Sequence, residues 1–202
     1  MIEKTPQPAL AEKQNITSLP LRQELAQRNG SEYRVSTDIA SELRVATLAY
    51  LSIQQEFNRI SKAIKANSKP DIKRLDVFIE GLVESIIRNP AAAVWLARLK
   101  SKSSYAHRHC ISCAILSSVM GRQLGLNRDE LIQLALSGLL IDIGKINLPD
   151  GLLRKTTDLT SSERAETRSH IALGLDLLED LPLPVEVLSA VRHHHERFNG
   201  CG

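Results

Sequence analysis

The stretch Leu134-Ala135-Leu136-Ser137-Gly138-Leu139-Leu140-Ile141-Asp142-Ile143-Gly144-Lys145 decides how this chain folds. It is almost wholly apolar up to Ile143 and presents no polar face. A helix that is apolar all round belongs at the centre of a bundle. Asn127 and Glu130, spaced as a capping box, start that helix at 128. The run ends on a carboxylate, Asp142, before Gly144, Lys145, Asn147, Pro149 and Gly151 open a loop. A carboxylate at the end of a buried helix is costly unless a cation meets it.

Working outward, every flanking segment has a helical period. Upstream, 104–126 is amphipathic and stops at Gly125. Earlier, Ile39, Leu43, Ala46, Tyr50, Ile53, Phe57, Ile60 and Ile64 form a heptad seam on a helix capped by Asp38. Ala and two aromatics are poor zipper residues, so the seam is expected to pack within the chain. Pairing with a second copy is the competing reading. Asn67–Pro70 breaks this helix. A second carries Ile72, Leu75, Ile79, Leu82 and Ile86 on one face, Asn89-Pro90 ends it, and a short helix covers 91–99. Downstream, Thr160 and Glu163 cap a helix expected to run to about Glu179. Pro182 and Pro184 interrupt the chain, and the last helix ends in His193–Arg197. No segment has a strand period and there is no internal repeat. The fold class is all-α: a polar leader over 1–35 with one short helix from Pro20 to Arg28, a helical lead-in hairpin over 36–100, and a multi-helix bundle over 101–202.

Composition agrees. Aromatics are 3% of the chain and apolar residues 43%, so the core is built from Leu, Ile, Val and Ala. A net charge of +3, from 26 basic and 23 acidic residues, speaks against DNA or RNA as partner. No apolar run approaches a membrane span and no signal peptide opens the chain, so a cytoplasmic protein is expected. Cys110, Cys113 and Cys201 are too few for a disulfide framework. The first two read as small core residues on one helix face.

Chemistry is concentrated late in the chain. Asp142, His170, His194 and His195 are the ligand types of transition-metal sites, and His109 lies upstream. Singly, each has a bland reading: Asp142 as a helix cap, His170 as an exposed helix residue, the His193–Glu196 run as a solvated last turn. Their joint occurrence around Gly144-Lys145 favours a metal.

The motifs resemble those of the HD-GYP domains, bacterial phosphodiesterases of the HD superfamily that hydrolyse cyclic di-GMP. Leu139–Ile146 with Pro149 and Lys155 is similar to LLHDIGKI-x-x-P…K. The segment from His194 to Gly202 is similar to HHERxDGxGYP. Tyr105 and His109 match the opening Y-x-x-x-H, and His170 the lone histidine between. The resemblance implies an HD-superfamily bundle, divalent metal (Fe, Mn, Zn or Ni), and a bridging Asp142. One metal position would use Asp142 with His170, His194 and His195. The other would use His109, Asp142 and two further ligands. Lys145 would contact the substrate phosphate and act with Asp142 in catalysis. Arg197, Asn199 and Gly200 of the signature would face substrate or partner.

The departures bear on function. The HD dyad reads Ile141-Asp142, and Ile cannot ligate a metal. The signature reads Asn199-Gly200, and the sequence stops at Gly202, before the Tyr-Pro and the helices that supply another aspartate in the family. The expectation is therefore one ion at most and weak or absent hydrolysis of cyclic di-GMP or a related dinucleotide. The alternative is a catalytically inactive regulatory domain that binds a signalling protein such as a diguanylate-cyclase-type partner. A homodimer is a further expectation.

Overall fold

In the computed structural model, residues 30–98 and 105–200 are described. The short helix expected over 20–28 lies outside them. The elements are helices α1 (Ile39–Lys65), α2 (Lys73–Arg88), α3 (Pro90–Arg98), α4 (Tyr105–Gln123) and α5 (Arg128–Leu140), then a 3-10 turn (Ile143–Asn147), then α6 (Asp150–Leu153), α7 (Ser161–Arg168), α8 (His170–Leu178) and α9 (Val185–His193). The described residues contain no strand, and none of their helices is long and apolar enough to cross a membrane.

Local chemistry explains the boundaries. Asp38 caps α1 by accepting from Ser41 N at 2.9 Å. Asn67 ends it at a positive φ of 53°. Pro90 forces Asn89 into an extended conformation, which stops α2. The Asn89 carboxamide then accepts from Ala91 N at the start of α3 and donates to Thr37 O. Both capping boxes form, at Asn127–Glu130 and Thr160–Glu163.

The core runs without interruption from Ala46 on α1 to Val191 on α9. The heptad seam of α1 packs within the chain: Ala46, Tyr50, Ile53, Phe57, Ile60 and Ile64 are buried in that core. Six of the eight seam positions are thus used for in-chain packing, while Ile39 at the start of the seam stays exposed. As the apolar run implies, α5 is central. Leu131, Ala135, Leu139 and Leu140 are wholly buried, and Gly138 lets α5 cross α4 closely. A Cβ there would stand 2.8 Å from Ala114 Cα. Cys110 is buried and Cys113 half-buried on α4, as expected of small core residues. The extended stretch before α1 is fastened to the α4–α5 corner, with Tyr33 donating to Leu126 O and Arg122 to Tyr33 O.

Two expectations differ from the structure. The segment after Asp142 is not an open loop but a 3-10 turn followed by α6. The helix from Thr160 does not run unbroken to Glu179. It divides at Ser169, where Thr167 Oγ donates to Glu163 O and Ser169 Oγ to Glu166 O. Hydroxyls that bond back to the preceding turn compete with the backbone ladder and bend helices. His170 thus begins a new helix.

Candidate metal centre and cleft

Three helix C-termini converge on one point. α5 ends at Leu140 with Ile141 as its cap, and Asp142 follows, its side chain free of any capping bond. α7 ends just before His170, and α9 ends just before His194 and His195. Helix C-termini leave carbonyls without intrahelical partners and carry partial negative charge. Two of those carbonyls orient imidazoles. His170 Nδ1 lies 2.6 Å from Thr167 O, and His194 Nδ1 lies 2.9 Å from Val191 O. With each Nδ1–H donating to a carbonyl, both Nε2 atoms present lone pairs inward.

Gly144 makes the convergence possible. The 3-10 turn presses against the first turn of α8 so closely that a Cβ on Gly144 would lie 1.9 Å from His170 O and 2.6 Å from Gly174 N. Only glycine permits that approach, and it brings His170 to Asp142.

Asp142 is 5% exposed. Its Oδ1 lies 2.8 Å from Lys145 Nζ, 3.5 Å from His170 Nε2 and 3.7 Å from His194 Nε2, yet has no partner in hydrogen-bonding geometry. Its Oδ2 faces His109 Nε2 at 3.4 Å. Burial by itself would raise the Asp142 pKa, but the approach of His194 and Lys145 outweighs it and holds the carboxyl well below the usual range. That same carboxylate raises the pKa of His194, against the effect of burial. Burial lowers His170, and so does the Lys145 charge. His195 is lowered as well, first by burial and then by His194.

The donor set fits a divalent cation. One ligand atom from each of Asp142, His170, His194 and His195 falls within 4.8 Å of the others. The Nε2 atoms of His170 and His194 are 3.2 Å apart, a contact that either a proton on one ring or a bound cation satisfies. The buried Asp142 carboxylate, three imidazoles that ligate when neutral and three negative helix ends supply the matching charge and ligands.

The structure thus draws Asp142, His170, His194 and His195 together, refuting the bland reading of His170 as exposed: it is 2% exposed. His109 is on the other side of the carboxylate, with Cys113 Sγ 3.6 Å from its Nε2. Ile141 is half-buried and offers no ligand. Lys145 stands against Asp142. Arg197, Asn199 and Gly200 are exposed beyond α9.

A cleft of about 910 Å³ opens beside Asp142, His109 and Lys145. Its wall carries Lys62, Lys65, Arg108, Lys145, Arg154 and Lys155 against only Asp142 and Asp150. Of these cations, sequence reasoning found only Lys145 and Lys155. Lys62 and Lys65 sit on a helix 80 or so residues upstream of the motif, and only packing brings them to it. The one sequence signal was their place on the polar face of α1.

The chain is similar to several known proteins. The chain is 34% identical over 126 residues to the cyclic di-GMP phosphodiesterase PA4108 of Pseudomonas aeruginosa, covering 62% of this chain and 30% of that one. It is 25% identical over 186 residues to the cyclic di-GMP phosphodiesterase response regulator RpfG of Xanthomonas campestris pv. campestris, covering 91% and 47%. It is 32% identical over 98 residues to a cyclic di-GMP phosphodiesterase of Thermotoga maritima, covering 48% and 27%. The chain therefore spans less than half the length of each of these relatives. No solved structure matches it. These relatives are consistent with an HD-GYP domain. Residues 88–202, more than half of the chain and including every proposed metal ligand, match the family described as HD domain, and the chain belongs to that family.

Proposed function

We propose that this chain is an HD-GYP-type domain that binds cyclic di-GMP or a related dinucleotide beside a single divalent ion, with weak or no hydrolysis. The observation that carries the reading is the asymmetry of Asp142: three imidazoles on its Oδ1 side, but on the other side His109, with Ile141 where the HD dyad has histidine. The Oδ1 side holds enough ligands for one Fe, Mn, Zn or Ni ion in Asp142, His170, His194 and His195. When bound, such an ion supplies charge stabilisation to a phosphoryl oxygen and acidifies water. For Zn²⁺, four protein ligands leave little room for a reacting water, which is the pattern of a structural site. Two-metal displacement needs a second well-held ion, and His109 with Asp142 makes a thin shell for it.

The cleft supports the nucleotide half of the reading. Its volume suits a ligand of drug size or somewhat larger, and its excess of cations suits phosphates. In this reading Lys145, which lines the cleft beside Asp142, meets a phosphate oxygen. Arg197, Asn199 and Gly200 are assigned to the outer rim, for substrate or partner.

The test uses the purified chain loaded with Mn²⁺. Expected are about one ion per chain by elemental analysis, calorimetric binding of cyclic di-GMP, and little linear product by chromatography. Steady turnover that His170→Ala abolishes would overturn the weak-or-inactive assignment. Absence of binding would overturn the nucleotide and favour a regulatory domain that acts through a signalling-protein partner.

A further inference from the structure

The matched family stretch begins at residue 88, yet one wall of the cleft is built from α1, which ends at Lys65. Asn58, Ser61, Lys62 and Lys65 all line it. Their spacing of three, four and seven residues places them on one helical face. The opposite face carries Phe57, Ile60 and Ile64 into the core. The cleft-facing side is also pinned to the start of α4. Ser61 Oγ is 3.0 Å from His107 Nε2, and the Phe57 ring meets the His107 ring edge-on at 5.3 Å. The helix turn that carries the two lysines is therefore anchored, while the lysine side chains themselves are exposed. Lys65 reaches Asp150 only at 3.8 Å, and Lys62 has no acidic partner among the described residues.

A plainer role exists. Lys62 and Lys65 occupy the last turn of α1, where cations complement the helix dipole. That role would stabilise the helix but would not require both side chains to line a cleft shared with Arg108, Lys145 and Arg154.

We propose that Lys62 and Lys65 form a second anion subsite, which takes the phosphate of a two-phosphate ligand that is not at Asp142–Lys145. This rests on reading the cleft as a dinucleotide site. A cyclic dinucleotide carries two phosphodiesters on opposite sides of its ring, so a second cationic cluster on the cleft wall suits the phosphate that Lys145 does not meet. α1 would then select the dinucleotide over a mononucleotide, and ligand binding would bridge the lead-in hairpin and the HD domain.

The experiment compares the whole chain with Lys62→Gln/Lys65→Gln and with Lys62→Arg/Lys65→Arg, using calorimetry and thermal melts. The Gln pair should weaken cyclic di-GMP by about tenfold or more. GMP, with one phosphate, should change by less than about twofold, and the Arg pair should restore dinucleotide binding. Equal loss of both nucleotides, or no loss of either, overturns the subsite. A lowered melting temperature with unchanged nucleotide affinity assigns the lysines to the helix dipole instead. A second arm is independent of the nucleotide: inorganic phosphate titrated into Lys145→Gln, read by ³¹P line broadening. Broadening that the added Gln pair abolishes supports the subsite, and broadening that survives it overturns the subsite. If the wild-type chain binds no cyclic di-GMP, the dinucleotide reading fails, and this phosphate arm alone decides the subsite.

Discussion

At the residue scale, two positions separate chemistry from packing. His170 is a ligand candidate whose ring is aimed by Thr167 O. His170→Ala is expected to weaken Mn²⁺ or Zn²⁺ binding by about a hundredfold or more, with the helical circular dichroism retained. His109→Ala should cost far less, because His109 stands apart from the four-residue cluster. A larger loss from His109→Ala than from His170→Ala, measured by metal titration, would place the ion between Asp142 Oδ2 and His109 instead. Gly144 is a packing residue. Gly144→Ala inserts a methyl 1.9 Å from the His170 carbonyl, so the 3-10 turn must separate from α8. The expected destabilisation is about 2–4 kcal/mol in urea unfolding, and the surviving fold should bind metal more weakly. An unchanged urea midpoint would contradict the close approach.

At the element scale, the lead-in hairpin is locked by a charged contact. Arg88, at the end of α2, donates to both carboxylate oxygens of Glu42 on α1 from Nε at 2.9 Å and Nη2 at 2.8 Å, and Thr37 Oγ adds a third bond. Arg88 holds the Glu42 pKa below its ordinary 4.5 despite opposing burial. A carboxyl whose folded pKa is lowered contributes stability above its unfolded pKa and loses it as pH falls through the folded value. Stability should thus decline as acid is added below about pH 4.5. Glu42→Gln should cost about 2 kcal/mol at neutral pH and flatten that decline. Denaturant midpoints at several pH values measure both. A variant with the same acid slope as the wild type would show that other carboxylates set it.

At the scale of the whole molecule, the proposed ligands come from widely separated segments: the junction after α5, the start of α8 and the end of α9. They have no reason to be near one another in the unfolded chain, so an ion that binds there stabilises the folded state. A hundredfold excess of Mn²⁺ over its dissociation constant should add about 2.7 kcal/mol and raise the melting temperature. A chelator should reverse the shift, and His194→Ala should lack it. A shift of equal size in His194→Ala would place the stabilising ion elsewhere.

Much of this was legible from residue order because it depends on neighbours. Helix periods, the Asp38, Asn127 and Thr160 caps, the Asn89-Pro90 stop and the central burial of α5 follow from local chemistry. So does the candidacy of Asp142, since a carboxylate closing an apolar helix needs a compensating charge, whereas the histidines were legible through their joint occurrence and the family resemblance. Other features were hidden because their causes are distant in the chain. The bend at Ser169 depends on Thr167 and Ser169 hydroxyls choosing backbone carbonyls. The inward aim of His170 and His194 depends on where two helices end. The sequence by itself determined an all-α chain with Asp142 and its histidines as candidate ligands, and its family resemblance marked Ile141 as the missing one. Only the tertiary structure decided that the seam is buried from Ala46 to Ile64, that His109 lies across the carboxylate from the other imidazoles, and that Lys62 and Lys65 share a cleft with Lys145. Period and caps act through bonds within a turn or two, whereas cleft walls are assembled by core burial, which joins residues without regard to their separation.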